Sequence, residues 1–189
     1  VVSVANVAPA AWIVSAPASG PEGSELAFTG DLNDPGVLDT VTFQWTASLD
    51  GVVVAEGTSL SFAFSPADDG QYSVSFTATD NDGGSGTDTV TVDVFNVAPL
   101  ATITGAPAGA DEGDTIVLGS EVTDPGTGDT FTYAWDVTKD GAAYDSGTGD
   151  ALSFVPDDNG TYAVSLTVTD SDGDSSTDTV TIDVLNVAP

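Results

Sequence analysis

One six-residue phrase occurs three times in this chain: Val4-Ala5-Asn6-Val7-Ala8-Pro9, Val94-Phe95-Asn96-Val97-Ala98-Pro99 and Val184-Leu185-Asn186-Val187-Ala188-Pro189. Its asparagines stand ninety residues apart, from 6 to 96 and from 96 to 186, so the chain reads as two copies of one unit cut from a longer series. Residues 6–95 form the first repeat and residues 96–185 the second. Residues 1–5 align with Thr91-Val92-Asp93-Val94-Phe95 and read as the last-strand tail of a preceding repeat; residues 186–189 read as the start of the next linker. A unit of this length is long enough to bury its own core.

Charge is the next constraint. Thirty acidic residues stand against a single base, Lys139, for a formal net charge of −29, and histidine is absent. A polyanion of this density is repelled by nucleic acid and by anionic membrane, so neither is an expected partner. The chain is 40% hydrophobic, which argues against disorder despite the charge. Without cysteine there is no disulfide, thiolate metal site or cysteine nucleophile. No apolar run approaches the ~20 residues of a membrane helix, and the absence of methionine suits an internal fragment. An extracellular or cell-surface setting is expected, because acidic β-rich repeats suit a calcium-replete exterior.

Hydrophobic alternation sets the fold class. Val41, Phe43 and Trp45 share one parity, as do Phe131, Tyr133 and Trp135; Thr40, Thr42, Thr130 and Thr132 take the other. Leu26 with Phe28 and Ile116 with Leu118 mark an earlier strand, and Val90, Val92, Val94 and Val180, Ile182, Val184 the last. Asp50-Gly51 and Asp140-Gly141 read as hairpin turns. The stretches Ala16-Pro17-Ala18-Ser19-Gly20-Pro21-Glu22-Gly23 and Ala106-Pro107-Ala108-Gly109-Ala110-Asp111-Glu112-Gly113 read as irregular. Seven short strands per repeat with no helical period predict an all-β chain of two tandem seven-stranded immunoglobulin-like β-sandwiches.

Asp69-Gly70-Gln71-Tyr72-Ser73-Val74 and Asn159-Gly160-Thr161-Tyr162-Ala163-Val164 look like tyrosine corners, with Val74 and Val164 where such folds can carry cysteine. The runs Tyr72–Asp82 and Tyr162–Asp172, the Asn-x-x-Pro start and the third-strand tryptophan together resemble the polycystic-kidney-disease (PKD) domain across nearly the whole chain, twice. The family's W-D-F-G-D-G run survives only as Trp135-Asp136-Val137-Thr138-Lys139-Asp140-Gly141 and Trp45-Thr46-Ala47-Ser48-Leu49-Asp50-Gly51. Bacterial cadherin-like and immunoglobulin-like surface repeats are its neighbours in resemblance.

Strand alternation sorts the acidic loops to two ends of each sandwich. Asp34, Asp39, Asp80, Asp82 and Asp88 gather at the entry end of the first repeat, and Asp124, Asp129, Asp170, Asp172 and Asp178 at that of the second. Glu22, Asp68, Asp69 and Asp93 gather at the exit end of the first repeat, beside Asn96. Two carboxylates ~4 Å apart repel by roughly 4 kcal/mol at an intermediate dielectric, and there is almost no basic charge to pair them. Hard oxygen ligands alone select Ca²⁺ over zinc or copper, so these fifteen residues are the candidate metal ligands. Asp170, Asp172 and Asp178 have calcium-loop-like spacing without the glutamate or helices of an EF-hand. The plainer reading is that Asp-Pro-Gly and Asp-Gly are turn chemistry and cap themselves. Cadherins are similar in placing calcium at junctions through a glutamate and an asparagine before proline, as Glu22 and Asn96-Val97-Ala98-Pro99 stand here, although the D-x-N-D-N linker is missing.

Function then divides between two non-enzymatic readings. A structural spacer or adhesin stalk with Ca²⁺-stiffened junctions would partner neighbouring repeats of its own chain. A polysaccharide- or protein-binding accessory module of a secreted hydrolase, or a homophilic adhesin, needs an exposed aromatic platform; Trp12 is the best candidate, Tyr144 another, and Thr102 replaces Trp12 in the second copy. Enzymatic chemistry is not expected without histidine or cysteine. Asn159-Gly160-Thr161 is a formal glycosylation sequon in a turn.

Overall fold

The computed structural model describes residues 5–36 and 38–188. The expected tail strand at 1–5 therefore lies outside the described residues except for Ala5, as do Val37 of the Asp34–Asp39 loop and Pro189. The chain divides into two compact units, Val1–Asn96 and Val97–Pro189.

All regular structure among the described residues is β. The first unit contains β1 (Ala10–Ser15), β2 (Ser19–Pro21), β3 (Leu26–Asn33), β4 (Val41–Leu49), β5 (Val52–Gly57), β6 (Ser61–Phe64), β7 (Gly70–Asp80) and β8 (Ser85–Phe95). A three-stranded sheet of order β1-β3-β6 packs on a five-stranded sheet of order β2-β8-β7-β4-β5. The second unit contains β9 (Leu100–Thr104), β10 (Ala110–Asp111), β11 (Ile116–Thr123), β12 (Thr132–Lys139), β13 (Ala142–Gly147), β14 (Ala151–Phe154), β15 (Gly160–Thr169) and β16 (Ser175–Leu185). Its sheets run β9-β11-β14 and β10-β16-β15-β12-β13.

Among the described residues each unit thus has one strand more than the seven expected. The extra strands, β2 and β10, lie in the stretches read as irregular and pair parallel with β8 and β16. Proline does not prevent this, because β2 is an outermost strand and Pro21 need not donate on its free side.

Parity decides the core. Along β7, Tyr72, Val74, Phe76 and Ala78 are buried while Ser73, Ser75, Thr77 and Thr79 face outward, half-exposed. Trp45 is fully buried, with its ring centroid 4.6 Å from that of Phe76 and 5.6 Å from that of Phe62. Its Nε1–H donates to Ser59 O at 2.8 Å, and Trp135 donates likewise to Gly149 O at 2.8 Å. Each indole thus satisfies its one donor while filling the space between sheets. The tyrosine corners close as expected: Tyr72 Oη donates to Asp68 O at 2.8 Å and Tyr162 Oη to Asp158 O at 3.0 Å. Asp50 (φ 49°) and Gly51 (φ 78°) supply the two left-handed residues of a hairpin turn, and Asp140 and Gly141 repeat it.

The two cores are filled differently. Phe28, Phe62 and Phe76 of the first unit stand where the second has Leu118, Leu152 and Leu166. Two larger residues partly offset the lost volume, Val137 against Ala47 and Val168 against Ala78. The Phe76 ring also explains Gly30, where a Cβ would sit 2.6 Å from Phe76 Cε1; the second unit, with Leu166 there, carries Ser120. Gly30→Ala is therefore expected to overpack the first core and cost roughly 1–3 kcal/mol, read as a lower denaturant midpoint at unchanged m-value. A midpoint equal to the parent's would show that Phe76 moves aside freely.

Candidate metal-binding loops

Three segments of the first unit meet at one end of its sandwich: the chain before β1, the β3–β4 loop and the β7–β8 hairpin. In the β3–β4 loop, Gly36 N–H donates to Asp34 Oδ1 at 2.9 Å, and Asp39 N–H to Gly36 O at 2.9 Å. This local turn brings Asp39 back toward Asp34, and a Cβ on Gly36 would collide with the Asp39 carboxylate. In the hairpin, Asp80 is only 5% exposed, and its Oδ1 accepts the N–H groups of Asp82 (2.9 Å) and Gly84 (2.8 Å). Asn6 Nδ2 donates to Asp80 Oδ2 at 2.9 Å, across 74 residues of sequence. The incoming segment is therefore tied to the acidic loops of the unit it enters.

Asp34, Asp39 and Asp80 each place one carboxylate oxygen within 4.8 Å of the others. Ligands on opposite sides of a Ca²⁺ ion bound at about 2.4 Å are separated by about that distance. Asp34 Oδ2 is buried and has no hydrogen-bond partner, an arrangement a cation would satisfy. The electrostatics agree: desolvation foremost, then the charges of Asp34, Asp82 and Asp80, raise the Asp39 carboxyl above its ordinary value. The Asn6 hydrogen bond foremost, with three backbone N–H groups, holds Asp80 below its own. Asp39 is disfavoured as an anion by desolvation and by its neighbours' charge, whereas Asp80 is already satisfied by its hydrogen bonds. The residues fit a hard cation, with Asp34 and Asp39 supplying the unmet charge.

The second unit repeats the turns of these two loops. Gly126 N–H donates to Asp124 Oδ1 at 2.9 Å, and Asp170 Oδ1 accepts from Asp172, Gly173 and Asp174 at 3.0, 2.7 and 2.9 Å. Burial foremost, opposed by the Gly126 bond and helped by Asp129 and Asp170, raises the Asp124 carboxyl. Ser171 Oγ donates to Asp129 Oδ1 at 2.7 Å, while Asp124 Oδ2 and Asp129 Oδ2 are buried without hydrogen bonds.

Other candidates are placed differently. Asp88 Oδ2 accepts the Ile13 N–H at 2.8 Å, and Asp178 Oδ2 the Ile103 N–H at 2.7 Å; each closes the edge of a first strand. Asp93 accepts from Gln71 Nε2 at 3.0 Å. Asp68 Oδ1 caps the Asp69 N–H inside the tyrosine corner, and Glu22 is buried, its N–H bound to Phe95 O. Asp82 and Asp172 are exposed at their hairpin tips, and Asn96 is half-buried at the end of β8.

Two residues outside the expected set carry comparable weight. Asn6 is one. Glu112 is the other: its Oε1 accepts the Val187 N–H at 3.0 Å and its Oε2 the Asn159 N–H at 3.1 Å, holding the outgoing segment to the tyrosine-corner turn. Both were visible as ninety-residue counterparts of Asn96 and Glu22. The lone base is engaged elsewhere, with Lys139 Nζ 2.9 Å from Asp157 Oδ1 and over the Tyr162 ring. Tyr144 is no platform, since it packs edge-on against Tyr162 and donates to Val155 O; Trp12 is 39% exposed.

A search of curated proteins returns no match. Among solved structures, the chain is similar to the fibronectin(III)-like modules of Clostridium thermocellum CbhA: 16% identity, 93% of this chain and 94% of that one, TM-score 0.39. It is also similar to the amphioxus IgVJ-C2 molecule: 16% identity, 87% and 99% of the two chains, TM-score 0.47. A third is the three N-terminal domains of the bacteriophage RB49 outer capsid protein Hoc: 18% identity, 94% and 59% of the chains, TM-score 0.35. The family is decided by sequence, because the model of the PKD domain matches residues 6–94 and again residues 96–184. With a buried tryptophan, on β4 or β12, and a tyrosine corner in each matched segment, the chain belongs to the PKD family and consists of two such domains in tandem.

Proposed function

We propose that these two domains form a non-enzymatic extracellular repeat module, a structural spacer or adhesin stalk whose domain junctions are stiffened by Ca²⁺. PKD and immunoglobulin-like domains are typically non-catalytic extracellular or accessory modules, and no helix among the described residues is long and apolar enough to cross a membrane. The observation that carries the reading is the Asn6–Asp80 hydrogen bond beside Asp34 and Asp39. A cation drawn by Asp34 and Asp39 would relieve their repulsion and fix the loop to which the incoming segment is tied. Pro9, with its fixed φ, continues that segment into β1 and limits how far it swings.

Ca²⁺ at about a hundredfold excess over its dissociation constant stabilises a domain by about 2.7 kcal/mol, or roughly 10–20 °C for a unit of this size. Millimolar Ca²⁺ is thus expected to raise the melting temperature and lengthen the particle in small-angle scattering, relative to EGTA. Asp39→Asn and Asp129→Asn together should remove that response and leave the fold intact. Indifference of both measurements to Ca²⁺ and EGTA would sink the ion mechanism. The alternative, a polysaccharide- or protein-binding accessory module or a homophilic adhesin, has the exposed Trp12 in its favour.

A further inference from the structure

Of the four sheet edges in the first PKD unit, three are closed or minimised. β2, which pairs with the Asp93–Phe95 end of β8, is only three residues long. The edge of β1 is closed by the Asp88 carboxylate on the Ile13 N–H. β6 is only four residues long and turns Ser61 and Ala63 outward. The fourth edge, β5, is different: it pairs with β4 on one side, and among the described residues no strand or side chain closes the other. It is also the apolar one. Val52, Val53 and Val54 are 65%, 53% and 50% exposed, and a one-residue bulge at Val54 spreads them over both faces of the strand.

The second unit shows what a protected version looks like. β13 keeps the same bulge, but its bulged residue, Tyr144, folds its ring against Phe154 and Tyr162, and exposed Asp145 follows it. An open row of backbone N–H and C=O groups flanked by apolar β-branched side chains is a template for an added strand. Charge decides which strand. The valines are bracketed by exposed Asp50 and Glu56, in a chain of net charge −29. A second copy pairing antiparallel about Val53 would set Asp50 against Glu56 twice, which like-charge cross-strand pairs oppose. A segment with lysine or arginine flanking an apolar core meets the same acids favourably.

We propose that the outer edge of β5 is a strand-addition site for an extended cationic polypeptide segment. Its affinity comes from main-chain hydrogen bonds and the valines, its selectivity from Asp50 and Glu56. The test titrates the complete ¹⁵N-labelled chain with an acetylated Lys-Thr-Val-Thr-Val-Lys amide and with the same peptide ended in glutamate. The expected result is saturable amide shifts confined to β5 and the β4–β5 turn for the lysine peptide, weakened by salt, with the glutamate peptide at least about tenfold weaker. V52T/V54T, which keeps charge and β-propensity, should bind the lysine peptide several-fold less, and V52K/V54K should not bind it. Shifts that are absent, shared with β13, or spread over the acidic loops would overturn the proposal. So would sedimentation showing the chain pairing with itself through β5.

Discussion

Trp45→Ala is expected to destabilise the first unit by roughly 3–5 kcal/mol, which for a domain of this size lowers its melting temperature by about 12–40 °C. The indole is fully buried between the two sheets, against the rings of Phe28, Phe62 and Phe76. Truncation opens a cavity these rings can only partly close, because Phe28 and Phe62 are themselves held in the β3–β6 pairing. It also leaves Ser59 O without its indole donor. Calorimetry would show the effect as loss of the first-unit transition from its parent position. A drop of under about 1 kcal/mol, well below the usual cost of removing a core tryptophan, would mean that the ring is not what joins the sheets.

That tryptophan was legible in the sequence because parity is local: Val41, Phe43 and Trp45 alternate with polar residues, and strand geometry puts them on one face. The tyrosine corners were legible for the same reason, each being a turn and a tyrosine within four residues of its acceptor. What escaped was long-range or rule-breaking. β2 reads as a loop because Gly20 and Pro21 are poor strand residues, yet an edge position beside β8 tolerates both. Asp88 and Asp178 look like members of acidic loops, but each satisfies a backbone N–H that lies 75 residues away. No spacing rule announces such a bond. In the candidate site, the convergence of Asp34, Asp39 and Asp80 followed from strand direction, whereas the Asn6 anchor depends on the fold having closed.

The second large effect is expected at Asp170. Its Oδ1 gathers the N–H groups of Asp172, Gly173 and Asp174, so Asp170→Ala leaves three donors of the β15–β16 hairpin without their acceptor. Hydrogen bonds to a charged group contribute about 1.5–3 kcal/mol each and are not additive; since residues 172–174 are exposed, water recovers part. A net loss of roughly 2–4 kcal/mol follows, with Asp170→Asn recovering some of it through its remaining carbonyl oxygen. Chemical denaturation of the full chain measures both variants. Equal stability of alanine variant and parent would show that the hairpin does not need its carboxylate.

The same chemistry gives acid sensitivity a definite sign. Asp80, held below its ordinary range in the folded state, contributes stability that is fully present above the unfolded value near 3.9 and is lost as pH falls through its folded value. Asp39 acts oppositely: with its folded value raised, its ionisation opposes folding at neutral pH, and that opposition is relieved by protons or by a cation. If the loops bind Ca²⁺ as proposed, protons compete with it for Asp39, and the stabilisation it gives fades as the solution is acidified through the raised Asp39 value.

The most direct measurement is a Ca²⁺ titration of the ¹⁵N-labelled full chain that follows the Asn6 side-chain amide together with the backbone amides of Gly36, Asp39 and Asp82. If the acidic loops hold a cation beside the Asn6–Asp80 bond, these signals move together along one saturable curve, and Asp39→Asn abolishes the shared response while the spectrum of the sheets is kept. If Ca²⁺ leaves the Asn6 amide and the loop signals in place, or moves every exposed acidic residue alike without saturation, the loops are self-capped turns and the cation-held junction is wrong.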